Sequence, residues 1–496
     1  MPLIREKSSP CPPEAVYALG RSATSFFLDS ADCTKSVGEH SFLGIEPYLT
    51  LRWKDSQGEI WRRTGTTWVK ASPFLTLERL LSEHSLWAGN EDVPLFPGGA
   101  VGYFSYDLCR LLESIPSAAG DDLGLPDLFF AFYDSIIAYH HPTSTYRLIS
   151  TGLPEKGTAR RLRAGRRLVQ MERMIESTER EWRRTGGGSA NAAALERFSR
   201  SSVPERAAPP ASNFSRDDYL RAIERALEYI RAGDIYQVNL SQRFCFPLPG
   251  DPYRLYSALR KVNPAPFGAY LDCGEYAVLS ASPERFLQVS GGNVVTRPIK
   301  GTRPRSDVPG IDRALADELL ASPKDRAENV MIVDVERNDL GRVCIPGTIT
   351  VPELFSLEAH PTVYHLVSTV RGKLRPEMGP IDVVRACFPS GSITGAPKIR
   401  AMQIIDELEP TRRSIYTGAV GYIDFAGRMD LNIVIRTVLA AGGQGYLQVG
   451  GGIVADSDPE TEYQETLHKA GGVLRALENV DVEEEDGLLL SNRARG

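Results

Sequence analysis

Downstream of residue 212 the apolar positions Leu220, Ile223, Leu227 and Ile230 recur at helical spacing, with Ser215 placed to cap the helix and Gly233 to end it. The period then drops to two. From Ile235 to Arg243, Val238 and Leu240 fall on one side of a strand and Gln237, Asn239 and Ser241 on the other. A polar row of this kind belongs either to the wall of a cavity or to a solvated face. Upstream, short apolar runs at Phe26 to Leu28, Tyr48 to Trp53 and Leu128 to Tyr139 alternate with Gly and Pro breaks, which predicts strands. The glycines of Gly98-Gly99-Ala100-Val101-Gly102 lack the Gly-x-Gly-x-x-Gly spacing of a dinucleotide-binding turn and read as sites of close backbone packing. A basic helix is predicted over Thr158 to Arg184, its arginine-rich face solvated.

Composition shifts from about Glu179 to Ser212, where Gly186-Gly187-Gly188-Ser189 and Pro209-Pro210 sit among Arg, Ser and Ala. Such a stretch buries too little apolar surface to offset its ordering entropy and reads as a linker. The expected organisation is an N-terminal region over 1–178, a linker over 179–212, a catalytic region over 213–478 and an acidic tail over 479–496, with no room for a further fused domain. With 496 residues, 42% of them hydrophobic, the chain can bury a large core. Its net charge of -6 supplies no basic footprint for nucleic acid. Seven scattered cysteines without a Cys-x-x-Cys pair argue against zinc or dithiol chemistry and point to a reducing cytoplasm. The N-terminus lacks the apolar core of a signal peptide. Leu128 to Tyr139, the most apolar stretch, contains Asp134 and falls short of the roughly 20 residues that span a bilayer, so no membrane segment is expected.

Two carboxylate pairs stand at i, i+3 spacing on predicted helices, Asp325 with Glu328 and Glu462 with Glu465, the second helix opened by Asp458 and Pro459. Magnesium keeps several waters and needs only one or two such carboxylates beside a substrate carboxylate, although solvated helix faces look the same in sequence. Arg436 interrupts the apolar run Ile433 to Leu439, where a buried cation calls for an anionic partner. Its guanidinium matches a carboxylate. Gly450-Gly451-Gly452 either lets backbone amides approach an anion or forms a simple turn, and Lys469 either meets an anion or pairs with Glu465. Lys300, in Arg297-Pro298-Ile299-Lys300-Gly301-Thr302-Arg303, is expected at a strand end, on a backbone stiffened by Pro298 and turned at Gly301. Glu284, in Ser282-Pro283-Glu284-Arg285, reads on its own as a partner of Arg285 or Arg303. The run from Gly391 to Lys398 has the wrong spacing for a phosphate-binding loop.

Taken together, these segments resemble the chorismate-binding enzymes, the family that contains component I of anthranilate synthase, component I of aminodeoxychorismate synthase, and the isochorismate and salicylate synthases. The resemblance runs from Phe26-Phe27-Leu28-Asp29-Ser30 to Glu462-Tyr463-Gln464-Glu465 and is densest from Ser212 to Leu477. It implies an α+β fold of two interleaved subdomains, with large antiparallel sheets packed face to face and helices outside. Pro298-Ile299-Lys300-Gly301-Thr302 is similar to the aminodeoxychorismate synthase branch, whereas anthranilate synthases carry alanine at the position of Lys300. Gln237 occupies the position at which isochorismate and salicylate synthases carry a lysine base.

For that branch the resemblance implies conversion of chorismate and ammonia to 4-amino-4-deoxychorismate, on the way to p-aminobenzoate and folate. Lys300 would add covalently at C2 while Glu284 protonates the departing C4 hydroxyl. Mg2+ would be held by Glu328 and Glu465, with Glu462 and Asp325 behind them; Asp325 stands where the family usually has glutamate. Gln237, Thr302, His365, Thr394, Tyr416, Arg436, Gly450, Gly451, Gly452 and Lys469 would contact substrate. Because no cysteine sits in a Gly-x-Cys-x-Gly setting, a separate glutaminase subunit is expected to supply ammonia. Leu28-Asp29-Ser30 and Asn263-Pro264-Ala265-Pro266-Phe267-Gly268 depart from the segments that form the tryptophan pocket of anthranilate synthases, which argues against ordinary feedback inhibition. Two other functions fit the same residues: anthranilate synthesis, separated by the one position 300, and a noncatalytic regulatory subunit that binds an aromatic amino acid.

Overall fold

Two twelve-stranded antiparallel sheets run through the computed structural model, which describes residues 1–32, 38–85, 94–184, 210–248 and 250–493, with 481–493 as helix backbone only. In the first sheet the neighbours are, in order, Leu3–Ser8, Thr145–Ser150, Ser135–His140, His40–Gly44, Phe26–Asp29, Phe267–Asp272, Tyr276–Ser282, Thr437–Ala441, Gln444–Ile453, Gln237–Pro247 and Ala211–Ser212. Gly395–Ala396 adds to Gln237–Pro247. The second runs Ile299–Pro304, Val363–Lys373, Asn293–Thr296, Arg285–Ser290, Met429–Ile433, Ala419–Asp424, Gly99–Phe104, Leu128–Tyr133, Leu49–Lys54, Gln57–Arg62 and Gly65–Val69, with Thr350–Ala359 beside Val363–Lys373.

Both sheets draw strands from either side of the segment read as a linker. Phe27 stands opposite Tyr270, and Gly102 opposite Gly421, so the N-terminal and C-terminal regions interleave. The helix Gly157–Arg184 runs into the start of that segment, 185–209 lies outside the described residues, and Ala211–Ser212 at its end is strand. The tail from 479 continues the helix Pro459–Arg493.

Alternation along Leu128–Tyr133 explains why the sheets stack. Phe129, Ala131 and Tyr133 enter the core between the sheets, with Phe26, Phe42, Ala269 and Val278. Leu128, Phe130 and Phe132 point the other way, into a layer with Leu49, Phe104 and the helices Pro73–Glu83, Pro323–Gly341 and Pro380–Cys387. Each fully buried ring contributes about 2 kcal/mol by leaving water. The outer face of the first sheet is covered by Pro13–Gly20, Gly157–Arg184, Pro252–Val262 and Pro459–Arg493. Close backbone contact makes Gly102 necessary: a Cβ there would lie 1.8 Å from the Phe129 carbonyl oxygen.

Asp134 splits the most apolar run into two strands that belong to different sheets, and its carboxylate takes Arg163 at 2.8 Å and Arg167 at 3.5 Å. Part of the arginine-rich helix face is therefore tied to the fold rather than solvated. Ser215 Oγ accepts the Asp218 amide at 3.1 Å and Gly233 has φ +82°, as the helical period predicts. The buried stripe of Arg216–Arg231 is Tyr219, Ala222, Ile223, Ala226 and Leu227, with Leu220 and Ile230 at its margin. Tyr219 turns the stripe by one position because its hydroxyl reaches the Leu240 carbonyl at 3.0 Å. Among the described residues no helix is long and apolar enough to cross a membrane.

Candidate active site

Lys300 sits in a bulge. Ile299 pairs with Val367 and Thr302 with His365, so Lys300 and Gly301 oppose the single residue Leu366. The lysine thus stands second in the strand Ile299–Pro304, near its start as expected, and the bulge supplies the bend. Gly301 has φ +91°, and a Cβ on it would meet Leu319 Cδ1 at 2.9 Å and Asp325 Cβ at 3.0 Å. Among the described residues the Lys300 amine has no hydrogen bond or salt bridge. Burial lowers its pKa below the ordinary lysine value, against the pull of Glu328 and Glu284.

Glu284 is buried and pairs with neither arginine that sequence offered it. Arg285 binds Asp430 through two bonds of 2.9 Å, and Arg303 binds Glu318 at 2.9 Å and Asp325 at 3.1 Å. Instead Ser392 Oγ donates to Glu284 Oε1 at 2.7 Å and the Ile299 amide donates at 3.2 Å. Burial pushes the carboxyl up to about 7, with those two donors and the charges of Lys300 and Arg436 opposing. A carboxyl that holds its proton near neutrality is equipped as a general acid.

Both carboxylate pairs lie on capped helices. Ser322 Oγ accepts the Asp325 amide at 3.2 Å, and Asp458 Oδ1 accepts the Thr461 amide at 2.9 Å. Burial raises Glu328, with Lys300 and Lys324 opposing and Asp325 and Glu465 adding to the rise. Burial would raise Glu465 too, but Lys469 at 2.7 Å, together with Lys324 and Lys300, takes it below its ordinary value. Burial raises Glu462, whose Oε1 accepts from Ser457 Oγ at 2.6 Å. Glu328, Glu465 and Lys300 therefore share one electrostatic field, while Asp325 is committed to Arg303. Among the described residues no three His, Cys, Asp or Glu converge on a preformed metal site. Glu328 and Glu465 nevertheless supply the two hard oxygen donors that magnesium takes from protein when waters and a ligand carboxylate complete its shell.

Gln237 is fully buried, and neither atom of its amide has a partner. Gly452 presses on it across the strand pair, while Asn239 Nδ2 donates to the Ser392 carbonyl at 3.2 Å and Ser241 Oγ donates to Glu409 at 2.7 Å. Gly450–Gly452 is strand and not a turn: it pairs with Asn239 to Ser241, and its pairing with Thr437–Ala441 stops at Leu447. Lys469 makes both the predicted salt bridge to Glu465 and a 2.9 Å bond to the Gly450 carbonyl. Thr302 Oγ1 lies 2.9 Å from His365 Nδ1, and His365 Nε2 is buried without a partner. Burial, then Arg436 and His360, keep that imidazole well below its ordinary pKa and so neutral. Arg436 has φ +51° and, among the described residues, no side-chain partner; burial lowers it, against Glu284. The Thr394 hydroxyl is spent on the Ser390 carbonyl at 2.8 Å. Tyr416 lines a small cavity with Arg413, Val434, Thr437 and Gln448, and among the described residues no hydrogen bond joins it to Lys300, Glu284 or Arg436. Lys300, Gln237, His365 and Arg436 thus offer polar groups that a polar, anionic ligand would satisfy.

A family profile described as chorismate binding enzyme matches residues 24–475. The chain belongs to the chorismate-binding enzymes. It is 39% identical over 468 residues to aminodeoxychorismate synthase component 1 of Salmonella typhimurium, covering 92% of this chain and 93% of that protein. To anthranilate synthase component 1 of Thermus thermophilus it is 42% identical over 460 residues, again covering 92% and 93%. The structure of anthranilate synthase component I from Streptococcus pneumoniae matches with a TM-score of 0.73 and 32% identity, covering 88% of this chain and 92% of that one. Family membership therefore accounts for the two stacked sheets, and relatives of both names stand at similar identity.

Sequence reasoning missed several polar residues connected to Glu284. Ser390 Oγ donates to Glu336 Oε1 at 2.8 Å and lies 3.2 Å from Ser392 Oγ. Lys398 pairs with Asp339 and donates to the Cys387 carbonyl at 2.8 Å. The available signal was period: Glu336 and Asp339 fall on the buried stripe of Pro323–Gly341 with Ile332, Val333 and Leu340. The two segments compared with a tryptophan pocket do line a cavity of about 210 Å³, with Leu28, Asp29, Ser30, Phe267 and Tyr422 among its walls. Asp29 is occupied there, accepting from Arg260 Nε at 2.7 Å and Tyr256 Oη at 3.2 Å.

Proposed function

We propose that this chain is the chorismate-aminating component of an aminodeoxychorismate synthase, a cytoplasmic enzyme that uses ammonia from a glutaminase partner to form 4-amino-4-deoxychorismate for p-aminobenzoate and folate synthesis. One observation carries the reading: Lys300 presents an amine without a partner, depressed by burial, in the same field as the buried acid Glu284. A neutral amine is a nucleophile, and alanine at this position would leave C2 open to ammonia itself.

The neutral Lys300 amine adds at C2 of the ring, the double bond shifts, and the C4–O bond breaks as Glu284 gives its proton to the leaving hydroxyl, releasing water. Ammonia then forms the C4–N bond, the shift reverses, and the C2–N bond to Lys300 breaks to return the neutral amine. The Glu284 carboxylate takes the surplus proton from the new ammonium, which restores the acid. Arg436 and the open edge of Gly450–Gly452 bind the pyruvyl carboxylate, and Gln237 and His365 Nε2 face the ring substituents. Thr302 orients His365; Thr394, Tyr416 and Lys469 support the walls. Glu328 and Glu465 would hold Mg2+, with Glu462 and Asp325 outside them. The ion would neutralise the ring carboxylate against these acidic side chains.

Incubation with chorismate, Mg2+ and ammonium, with and without added aminodeoxychorismate lyase, tests the reading. Lyase-dependent p-aminobenzoate is expected. Lyase-independent anthranilate would instead support the second reading, anthranilate synthesis, the activity in the name of a relative 42% identical to this chain. Absence of turnover with binding of an aromatic amino acid would point to a regulatory subunit.

A further inference from the structure

The acid Glu284 is one end of a buried line of hydroxyls. Ser392 Oγ is 2.7 Å from Glu284 Oε1, Ser390 Oγ is 3.2 Å from Ser392 Oγ, and Glu336 Oε1 is 2.8 Å from Ser390 Oγ. All four residues are at most 4% exposed, and Glu336 is fully buried. Glu336 Oε1 also accepts the Gly391 amide at 3.0 Å, while its Oε2 has no partner. The serine loop is held in place, since a Cβ on Gly391 would meet Val335 Cγ1 at 2.6 Å and Arg413 Nη1 donates to the Ile393 carbonyl at 3.1 Å. Neighbouring oxygens along the line are all at hydrogen-bond distance; when Glu336 carries a proton on Oε1 it becomes the donor to Ser390 Oγ, and the Ser390 hydroxyl turns to Ser392 Oγ.

We propose that Glu336 is a positioning residue that exchanges a proton with Glu284 through the hydroxyls of Ser390 and Ser392. The inference rests on the reading of Glu284 as the acid of the amination. Once Glu284 has given up its proton, the Ser392 hydroxyl passes its own to Glu284 Oε1, Ser390 passes one to Ser392, and the Glu336 carboxyl passes one to Ser390. One proton moves from Glu336 to Glu284, both hydroxyls end as they began, and no heavy-atom bond changes. The negative charge then rests on Glu336, in the field of Lys398, and the acid beside the substrate is recharged while the site is closed. Uptake of the ammonium proton by Glu284 runs the line backwards.

The groups that face Glu336 suit a proton store. Burial raises its pKa, with Lys398 opposing and the Glu284 charge adding to the rise. Asp339, pushed up to about 7 mainly by burial, lies on the same helix stripe, paired with Lys398 and in the field of Arg342. The Cys387 thiol, raised by burial, completes the surroundings.

The test compares Glu336→Gln, Ser390→Ala and Glu284→Gln in the full chain, with chorismate, Mg2+ and ammonium. The readouts are kcat, chorismate KM, the solvent deuterium isotope effect and the variant-to-wild-type rate ratio across neutral pH. Glu336→Gln keeps the acceptor oxygen but not the exchangeable carboxyl proton. It is expected to lower kcat by on the order of tenfold, with KM little changed and an altered isotope effect. Ser390→Ala should do the same, and the double variant should be no slower than either single one. Should Glu336→Gln fail to fold, Ser390→Ala decides by the same readouts. Wild-type kcat and pH dependence in Glu336→Gln or Ser390→Ala, with Glu284→Gln inactive, overturns the proton line and leaves the acid intact. Wild-type kcat in Glu284→Gln overturns the acid itself.

Discussion

Gly452 stands so close to Gln237 that a Cβ on it would lie 2.2 Å from the glutamine Nε2. Gln237 is fully buried and cannot retreat into solvent, and Asn239 Oδ1 closes the gap at 3.2 Å. Gly452→Ala should therefore displace the glutamine amide from the site. We expect a loss of about 1–3 kcal/mol in stability from overpacking, with a raised chorismate KM. Gly451→Ala meets only Glu462 Oε2, at 3.1 Å, and should be the milder change. Thermal unfolding and chorismate titration of the two variants check this, and equal effects would refute it.

Glu284 supplies a pH prediction with a definite sign. Burial takes its carboxyl from an ordinary 4.5 to about 7, so the folded chain binds this proton more tightly than the unfolded chain. The associated stability is present in full below the unfolded value and is lost as pH rises through the folded one. A shift of that size corresponds to about 3 kcal/mol. Glu284→Gln cannot lose a proton, so its melting temperature relative to wild type should rise between about pH 5 and about pH 8. In the wild type, kcat/KM for chorismate at a fixed concentration of free ammonia should fall above neutrality. A flat profile would remove the acid role.

Lys300 should leave a covalent trace. With chorismate and Mg2+ but no ammonia, intact-protein mass spectrometry is expected to show addition of chorismate less one water. Lys300→Ala should show none, and its C4 amination should drop by on the order of a hundredfold or more. An adduct that survives in Lys300→Ala would place the nucleophile elsewhere.

What could be read from the chain follows the range of the interactions involved. Alternation in Leu128–Tyr133 and Gln237–Pro247 is a local property of the backbone, and so are the i, i+3 carboxylates and the Ser215 and Asp458 caps. The bulge at Lys300 is not local, because the register of Ile299–Pro304 is set by its partner strand Val363–Lys373. Asp134 reads as a flaw in an apolar run until two arginines from a later helix reach it. The bond from Ser392 to Glu284 joins residues 108 positions apart, and nothing in the period of either segment announces it.

Arg413 and Glu409 form a pair with side chains 1% and 2% exposed, joined at 2.7 Å. Arg413 also donates to the Asn239 carbonyl at 2.7 Å and to Ile393, so it ties the polar strand to the serine loop. Arg413→Ala strands a buried carboxylate that, among the described residues, retains only the Ser241 amide and hydroxyl as donors. A loss of about 3–5 kcal/mol in unfolding free energy is expected. Adding Glu409→Gln should restore part of it, because the uncompensated charge is gone. A double-mutant cycle by chemical denaturation measures the coupling, and strict additivity would show that the pair does not act as one.

Arg436 separates binding from stability. Its φ of +51° is costly for a residue with a side chain, and its half-buried guanidinium has no partner among the described residues. In the ligand-free protein, Arg436→Gly relieves both costs, since glycine adopts that backbone freely and carries no charge. We expect stability to rise by about 1 kcal/mol or more. Chorismate is expected to lose a bidentate carboxylate contact, raising KM on the order of tenfold or more. Opposite signs in the two measurements are what a ligand-binding arginine requires. If the variant is both destabilised and unchanged in KM, the guanidinium is part of the fold and the substrate carboxylate is held by other groups.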